Sequence, residues 1–471
     1  MKITPQMTDR AIGAVVGSAC GDALGAPYEF QPSVPDHRPV QMKAGGQWTI
    51  GEWTDDTSMS VPILEVLAQR QSLTSPASLA HLVDRWVSWS RRAKDVGIQT
   101  SAVLSGLRGD HSEAAATASA QRIHQARGKS GGNGSLMRTG PVALGYLDDP
   151  DGLVEAARRV SDLTHVDPDA GDASVLWSLA IRQAIVHGDL DLRSGLTWLP
   201  AERRQPWADL IDDAEGRHPR HYERKSGWVV AAFQAAWAAI VGSSGYAEAV
   251  ERAVRVGGDT DTVAAIAGSL AGARWGYSSV PWAWRRHLHG WPGWGEADLV
   301  SHAVRAVRAI GPEDWPLADR MPVETPPHAI PHPHDAGVIL GTLAGLEELP
   351  ATCDAVVSLC RVGTGPLQRP FPADRHATFW LIDERGRNLD PAGVLRDAAK
   401  AIATLRAEGR TVYLHCVAGQ SRTTAAAVAY AVRHRGVSVD DAVRAVTAAL
   451  PSARLQVFGD VLRDLPADPA G

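Results

Sequence analysis

The chain has 471 residues, 44% hydrophobic and 21% charged, the balance of a folded protein and too long for one ordinary domain. Its 47 basic and 53 acidic residues leave a formal charge of −6, which gives no support to nucleic acid as a stable partner. Four cysteines exclude a disulfide scaffold and point to a reducing compartment, the cytoplasm. No apolar run nears the roughly 20 residues that span a bilayer, so no membrane partner is expected.

In chain order, Ala11–Cys20 is apolar and reads as a buried helix. Trp53-Thr54-Asp55-Asp56-Thr57 then precedes a helix carrying Met59, Ile63, Val66 and Leu67 on one face. Gly128-Lys129-Ser130 imitates the end of a nucleotide-binding P-loop, but Ile123 stands where its first glycine belongs, and that reading is rejected. The glycine-rich Gly131–Ser135 stretch leaves backbone amides free to approach phosphate oxygens. Gly257-Gly258-Asp259-Thr260-Asp261-Thr262 precedes a second amphipathic helix with Val263, Ile266, Ala267 and Leu270.

Asp and Thr are ordinary helix N-caps, yet capping does not account for two carboxylates in each cluster. If the two helix starts face each other, four aspartates and two threonine hydroxyls converge. Such a charge needs cations, and an all-oxygen donor set without His or Cys favours Mg²⁺ or Mn²⁺ over zinc.

Seven prolines between Pro312 and Pro333, with His328, His332 and His334 among them, predict an extended, solvated linker over 312–334. Ahead of it, residues 1–311 read as all-α, and the whole acidic excess lies before residue 335. Behind it, residues 335–471 hold 15 acidic and 15 basic residues. There the strand-like runs Val356–Cys360 and Thr411–His415 alternate with the helical runs Arg422–Arg435 and Val439–Leu450, a small α/β domain. His415-Cys416 followed by Val417, Ala418, Gly419, Gln420, Ser421, Arg422 and Thr423 joins a strand to a helix. The loop amides then face an anion at a helix N-terminus, the same field favours a thiolate at Cys416, and Arg422 can grip a phosphoryl group with its planar fork.

Gly21-Asp22-Ala23-Leu24-Gly25, Glu29, the Trp53–Thr57 and Gly257–Thr262 clusters, Gly132–Arg138 and Thr164-His165 occur in the order of the ADP-ribosylglycohydrolase family, which residues 8–310 closely resemble. The resemblance implies an all-α domain with two Mg²⁺ or Mn²⁺ ions held by Thr54, Asp55, Asp56, Asp259, Asp261 and Thr262. It implies acid–base work by Glu29 or Asp95, between which the sequence does not choose, and substrate contacts by Gly132, Asn133, Gly134, Ser135 and His165. Asp22 is read as a helix cap. Asp95 has the bland alternative of pairing with Arg91 or Arg92.

The Cys416–Thr423 loop, with Leu340-Gly341 and the strand ending at Cys360, resembles the tyrosine and dual-specificity phosphatases over 335–460. That implies a phosphocysteine formed on Cys416, a loop of Val417–Ser421 around the phosphate, Ser421 or Thr423 assisting departure of the cysteine, and Asp383 as general acid, with Asp390 second. The expected protein is thus a bifunctional hydrolase. One half would act on an ADP-ribosylated protein or small molecule and the other on a phosphorylated substrate. The alternative is an N-terminal domain that only binds ADP-ribose and delivers the phosphatase.

Overall fold

The computed structural model describes residues 1–308, 325–362, 371–450 and 452–465. The chain divides into two compact units, one of residues 1–280 and 287–309, the other of residues 281–286 and 310–471. The second unit therefore takes in Pro281–Arg286, which the sequence reading leaves with the first.

The first unit is built of α1 (Pro5–Gly25), α2 (Asp55–Ala68), α3 (Pro76–Ser90), α4 (Ile98–Ser105), α5 (Glu113–Arg127), α6 (Pro150–Asp162), α7 (Pro168–His187), α8 (Ala201–Glu215), α9 (Val229–Val241), α10 (Tyr246–Val254) and α11 (Thr260–Trp275). A two-stranded ribbon, β1 (His289–Gly290) with β2 (Trp294–Gly295), leads to a last helix, Glu296–Val307. Its centre is the pair α1 and α11. Gly13, Gly17, Gly21 and Gly25 recur every fourth residue and so form one row on α1. A Cβ added at Gly13 would fall on the carbonyl oxygen of Gly272, and one at Gly21 on that of Ala264. At Gly25 it would lie 2.5 Å from the Cα of Asp261, and at Gly17 2.6 Å from the oxygen of Gly268. The two backbones thus touch, with Ser18 Oγ donating to Ala265 O at 3.1 Å and Tyr246 OH to Gly17 O at 2.8 Å. Every residue of α11 up to Ala273 is buried, so this helix is enclosed on all sides rather than amphipathic.

The second unit is a five-stranded sheet in the order β3 (Ala329–His332), β4 (Asp335–Thr342), β7 (Val412–Cys416), β5 (Ala355–Ser358), β6 (His376–Thr378). Only β3 runs antiparallel to its neighbour. The helices Pro391–Ala407, Arg422–His434 and Val439–Ala449 flank the sheet, and the predicted strands and helices of this half are found within a few residues of their expected bounds.

The linker expectation is corrected in part. Residues 312–324 lie outside the described residues, but 329–332 form an edge strand. Pro331 is tolerated there at a register irregularity, where a missing donor costs little. His332 is not solvated: it is buried and its Nε2 bonds Ala427 O at 3.0 Å.

Gly21→Ala is expected to cost about 1–3 kcal/mol through overpacking, read as a lower Tm, because the methyl group meets backbone that cannot move aside.

Candidate active sites

Three elements bring the first site together. α2 and α11 begin at the two aspartate clusters, with Thr54 and Asp259 as N-caps, so the carboxylates sit where the helix dipoles favour anions. Asp22, from the buried face of α1, accepts from Thr54 N at 2.9 Å, Thr57 N at 3.0 Å and Thr57 Oγ1 at 2.6 Å. It is indeed a helix cap, but of α2 rather than of its own helix. Asp22, Asp56 and Asp261 each offer a carboxylate oxygen within 4.8 Å of the others, and Glu29, Asp259 and Asp261 form a second such trio.

Hydrogen bonds aim these groups. Thr54 Oγ1 donates to Asp56 Oδ2 at 2.9 Å, Gly97 N to Asp55 Oδ2 at 3.2 Å, and Asn133 Nδ2 to Asp259 Oδ2 at 2.7 Å. Thr262 Oγ1 lies 3.5 Å from Asp56 Oδ2. The other oxygen of Asp56 is buried with no hydrogen-bond partner among the described residues. Burial, then repulsion from neighbouring carboxylates, pushes Asp55 up to about 7 and Glu29 up to about 8. The same causes hold Asp56 and Asp261 well above the carboxylate range. Among the described residues no lysine or arginine pairs with any of them. Hard oxygen donors, an orphaned oxygen and uncompensated charge fit divalent cations. Sequence reasoning misses the place of Asp22 in the first trio, because its partners lie more than thirty residues away.

On the Asp259 side lies the glycine-rich stretch. Asn133, expected to touch substrate, spends its amide on Asp259 and on Ser226 O at 3.0 Å. Ser135 is fully buried, and its hydroxyl has no partner among the described residues. His165 is buried behind the loop, and a Cβ at Gly132 or Gly134 would meet its ring at 3.2 or 3.0 Å. Burial, and then Arg138, lower it to about 3, so the ring is neutral. Arg138 is itself buried, bonding Thr164 Oγ1 at 2.8 Å and lying 4.3 Å from the Trp86 ring centre.

On the Asp55 side a cleft of about 140 Å³ is lined by Trp48, Trp89, Trp291, Asp55 and Asp95. Asp95 is exposed there and bonds neither Arg91 nor Arg92. The tryptophan lining was not legible in the sequence, since its members come from three separate segments.

In the second unit Cys416 ends β7 and Arg422 opens the next helix, so the loop between them wraps a helix N-terminus. Gly419 takes φ +66°, which a side chain would disfavour. Arg422 Nη1 donates to Leu381 O at 3.0 Å, and its Nε stands 3.9 Å from Asp383 Oδ2. Asp383 therefore lies at the cradle, whereas Asp390 caps the helix Pro391–Ala407 through Gly393 N at 2.7 Å. Arg422 Nε and the hydroxyls of Ser421 and Thr423 are buried without hydrogen-bond partners among the described residues, as an anion site requires. His415 is held neutral by burial, down to about 3, and bonds Ser358 Oγ at 2.7 Å, which in turn bonds His376 at 2.9 Å. Cys360, pushed up to about 12 by burial, is a neutral thiol.

Comparison with known proteins follows this division. Residues 3–314 match the ADP-ribosylglycohydrolase family profile, and residues 374–457 match the catalytic domain of dual specificity phosphatases. The chain is 31% identical over 309 residues to the ADP-ribosylarginine hydrolase Tri1 of Pseudomonas putida (strain GB-1), covering 61% of this chain and 78% of that one. It is 29% identical over 292 residues to the ADP-ribosyl-dinitrogen reductase glycohydrolase of Rhodospirillum rubrum, covering 60% and 92%. A structure of human DUSP28 aligns over 30% of this chain and 94% of its own, at 25% identity and a TM-score of 0.26.

The raised carboxylates predict how the ion-free protein responds to pH. Asp55 and Glu29 hold protons more tightly folded than unfolded, so their contribution to stability is complete below about pH 4 and is lost as pH rises through 7 to 8. Melting curves should show Tm of chelated protein falling over that range, and added Mg²⁺ or Mn²⁺ raising Tm more at pH 8 than at pH 5, where protons compete for the same oxygens.

Proposed function

Because the chain belongs to the ADP-ribosylglycohydrolase family over residues 3–314, we propose that its first unit hydrolyses the bond between ADP-ribose and a modified acceptor. The observation that carries this reading is the pair of carboxylate trios sharing Asp261 at the starts of α2 and α11. Asp22, Thr54, Asp55, Asp56, Asp259, Asp261 and Thr262 would hold two divalent cations. When bound, such ions supply charge for ribose hydroxyls to bind against and polarise the reacting oxygen. The chain's own residues do the rest. Asn133 fixes Asp259 through its side-chain amide and is itself held by its backbone N–H on Gly227 O, and Gly97 fixes Asp55. Asp95 is the acid–base group: it is unpartnered and lies beside Asp55 at the cleft, able to exchange a proton with the departing atom. Glu29 belongs with the ion-side oxygens through Asp259 and Asp261.

The second unit, by the same reasoning, hydrolyses a phosphomonoester. The Cys416 sulfur forms a bond to phosphorus as the phosphorus–oxygen bond breaks, and Asp383 gives its proton to the leaving oxygen. Water then cleaves the sulfur–phosphorus bond, releasing phosphate and the thiolate. Arg422 holds the equatorial oxygens, and Ser421 or Thr423 donates to the departing sulfur. The orphaned donors of these three residues support this assignment.

The two chemistries separate by mutation. Asp56→Ala or Asp259→Ala should lose bound metal and ADP-ribose release together while phosphatase activity stays. Protein that keeps its metal and binds ADP-ribose without turning over any modified substrate would instead be a binding module.

Cys416→Ser should abolish phosphate release and leave ADP-ribose release intact, because a serine hydroxyl stays protonated where a thiolate forms. Asp383→Ala should lose ~10²–10⁴-fold on an alkyl phosphate and much less on an activated aryl phosphate. Equal losses on both would move the acid elsewhere.

A further inference from the structure

The phosphate cradle is braced from behind. Thr342 is in register with Cys416, and Leu343 N donates to Val417 O at 3.1 Å. A third brace comes from His328, the residue just ahead of β3, in the stretch read from sequence as linker and outside the matched phosphatase segment 374–457. A Cβ built at Gly419 would lie 2.7 Å from His328 Cε1, 2.8 Å from its Nε2 and 2.9 Å from Gly341 O. The imidazole therefore occupies the space where any other residue at position 419 would carry its side chain.

The ring does this by packing. Its Nε2 is shut from water and has no hydrogen-bond partner among the described residues, and burial lowers its affinity for a proton. Its backbone lies against the same group that braces β4: His328 O is 3.4 Å from Tyr413 OH, a hydroxyl that donates to Thr342 O at 2.9 Å and accepts from Thr342 N at 3.0 Å.

We infer that His328 is a positioning residue of the phosphatase site, its ring walling Gly419 into the left-handed conformation that turns the loop amides toward an oxyanion. Glycine enters that conformation freely and leaves it as freely, so nothing in Gly419 itself holds φ at +66°. A wall on its open side removes the alternatives, and preorganised amides bind an anion better than mobile ones. The inference rests on the phosphatase reading above.

The test uses the full chain with His328→Ala and His328→Leu, the latter filling similar volume without nitrogen. Three readouts are needed: the inhibition constant of vanadate, the KM and kcat for p-nitrophenyl phosphate, and Tm. His328→Ala should bind vanadate about tenfold more weakly and lose kcat/KM to a similar degree, with Tm lowered by no more than a few degrees and ADP-ribose release unchanged. His328→Leu should recover most of the loss. Vanadate binding unchanged in the alanine variant overturns the inference. Equal losses in both variants overturn it too, since the nitrogen rather than the wall would then matter. Wild type that binds vanadate but releases no phosphate sinks the phosphatase reading, and the variants' vanadate constants still decide this one. Wild type that binds no vanadate overturns both.

Discussion

Backbone contact between α1 and α11 is the constraint on which the first unit depends. Side chains of ordinary size hold helix axes 8–10 Å apart. Here a row of glycines on α1 meets Ala264, Gly268 and Gly272 of α11, and the helices close until carbonyls touch Cα atoms. Asp22 projects from this seam beside Gly21, and Asp261 stands where Gly25 approaches it. Closeness of the helices is thus what converts two distant aspartates into neighbours. Asp56 joins them because Asp22 grips the first turn of α2.

The two sites solve opposite electrostatic problems. In the first, buried carboxylates crowd together and no lysine or arginine among the described residues pairs with them, a state that costs stability and is offset by the packing around it. Its natural counterpart is positive. In the second, a helix start, Arg422 and two hydroxyls without partners among the described residues suit negative charge, and the carboxylate of Asp383 stands at the edge. His415 and Cys360 beneath the cradle are both kept neutral, so no fixed charge there competes with the incoming anion.

Much of this was legible in sequence, for local reasons. Paired aspartates before a 3.6-residue apolar period mark a helix start whatever the tertiary fold, and a cysteine with an arginine six residues on marks a strand–loop–helix anion cradle. What escaped reading depends on contacts remote in sequence. Asp22 caps a helix that begins more than thirty residues later. Three scattered tryptophan segments meet in one cleft. The glycine row of α1 is periodic, yet periodicity alone does not say that another backbone lies against it. Proline content misleads at 329–332, since an edge strand has a face on which a missing donor goes unnoticed. The buried His332 followed the same error.

Asp261 stands in both carboxylate trios, and that has a consequence for stoichiometry. If ions fill both trios, as proposed, their two positions draw on one carboxylate and are not two copies of an independent site. Whichever fills first takes charge that the other would have used, and adds its own repulsion. Coupling of this kind is reciprocal, so neither position owns a private affinity. Calorimetric titration of such a centre yields two macroscopic constants that belong to the pair, the second weaker than the first. Replacing Asp261 therefore alters both constants at once, whereas a change confined to Asp22 or Glu29 acts first on one.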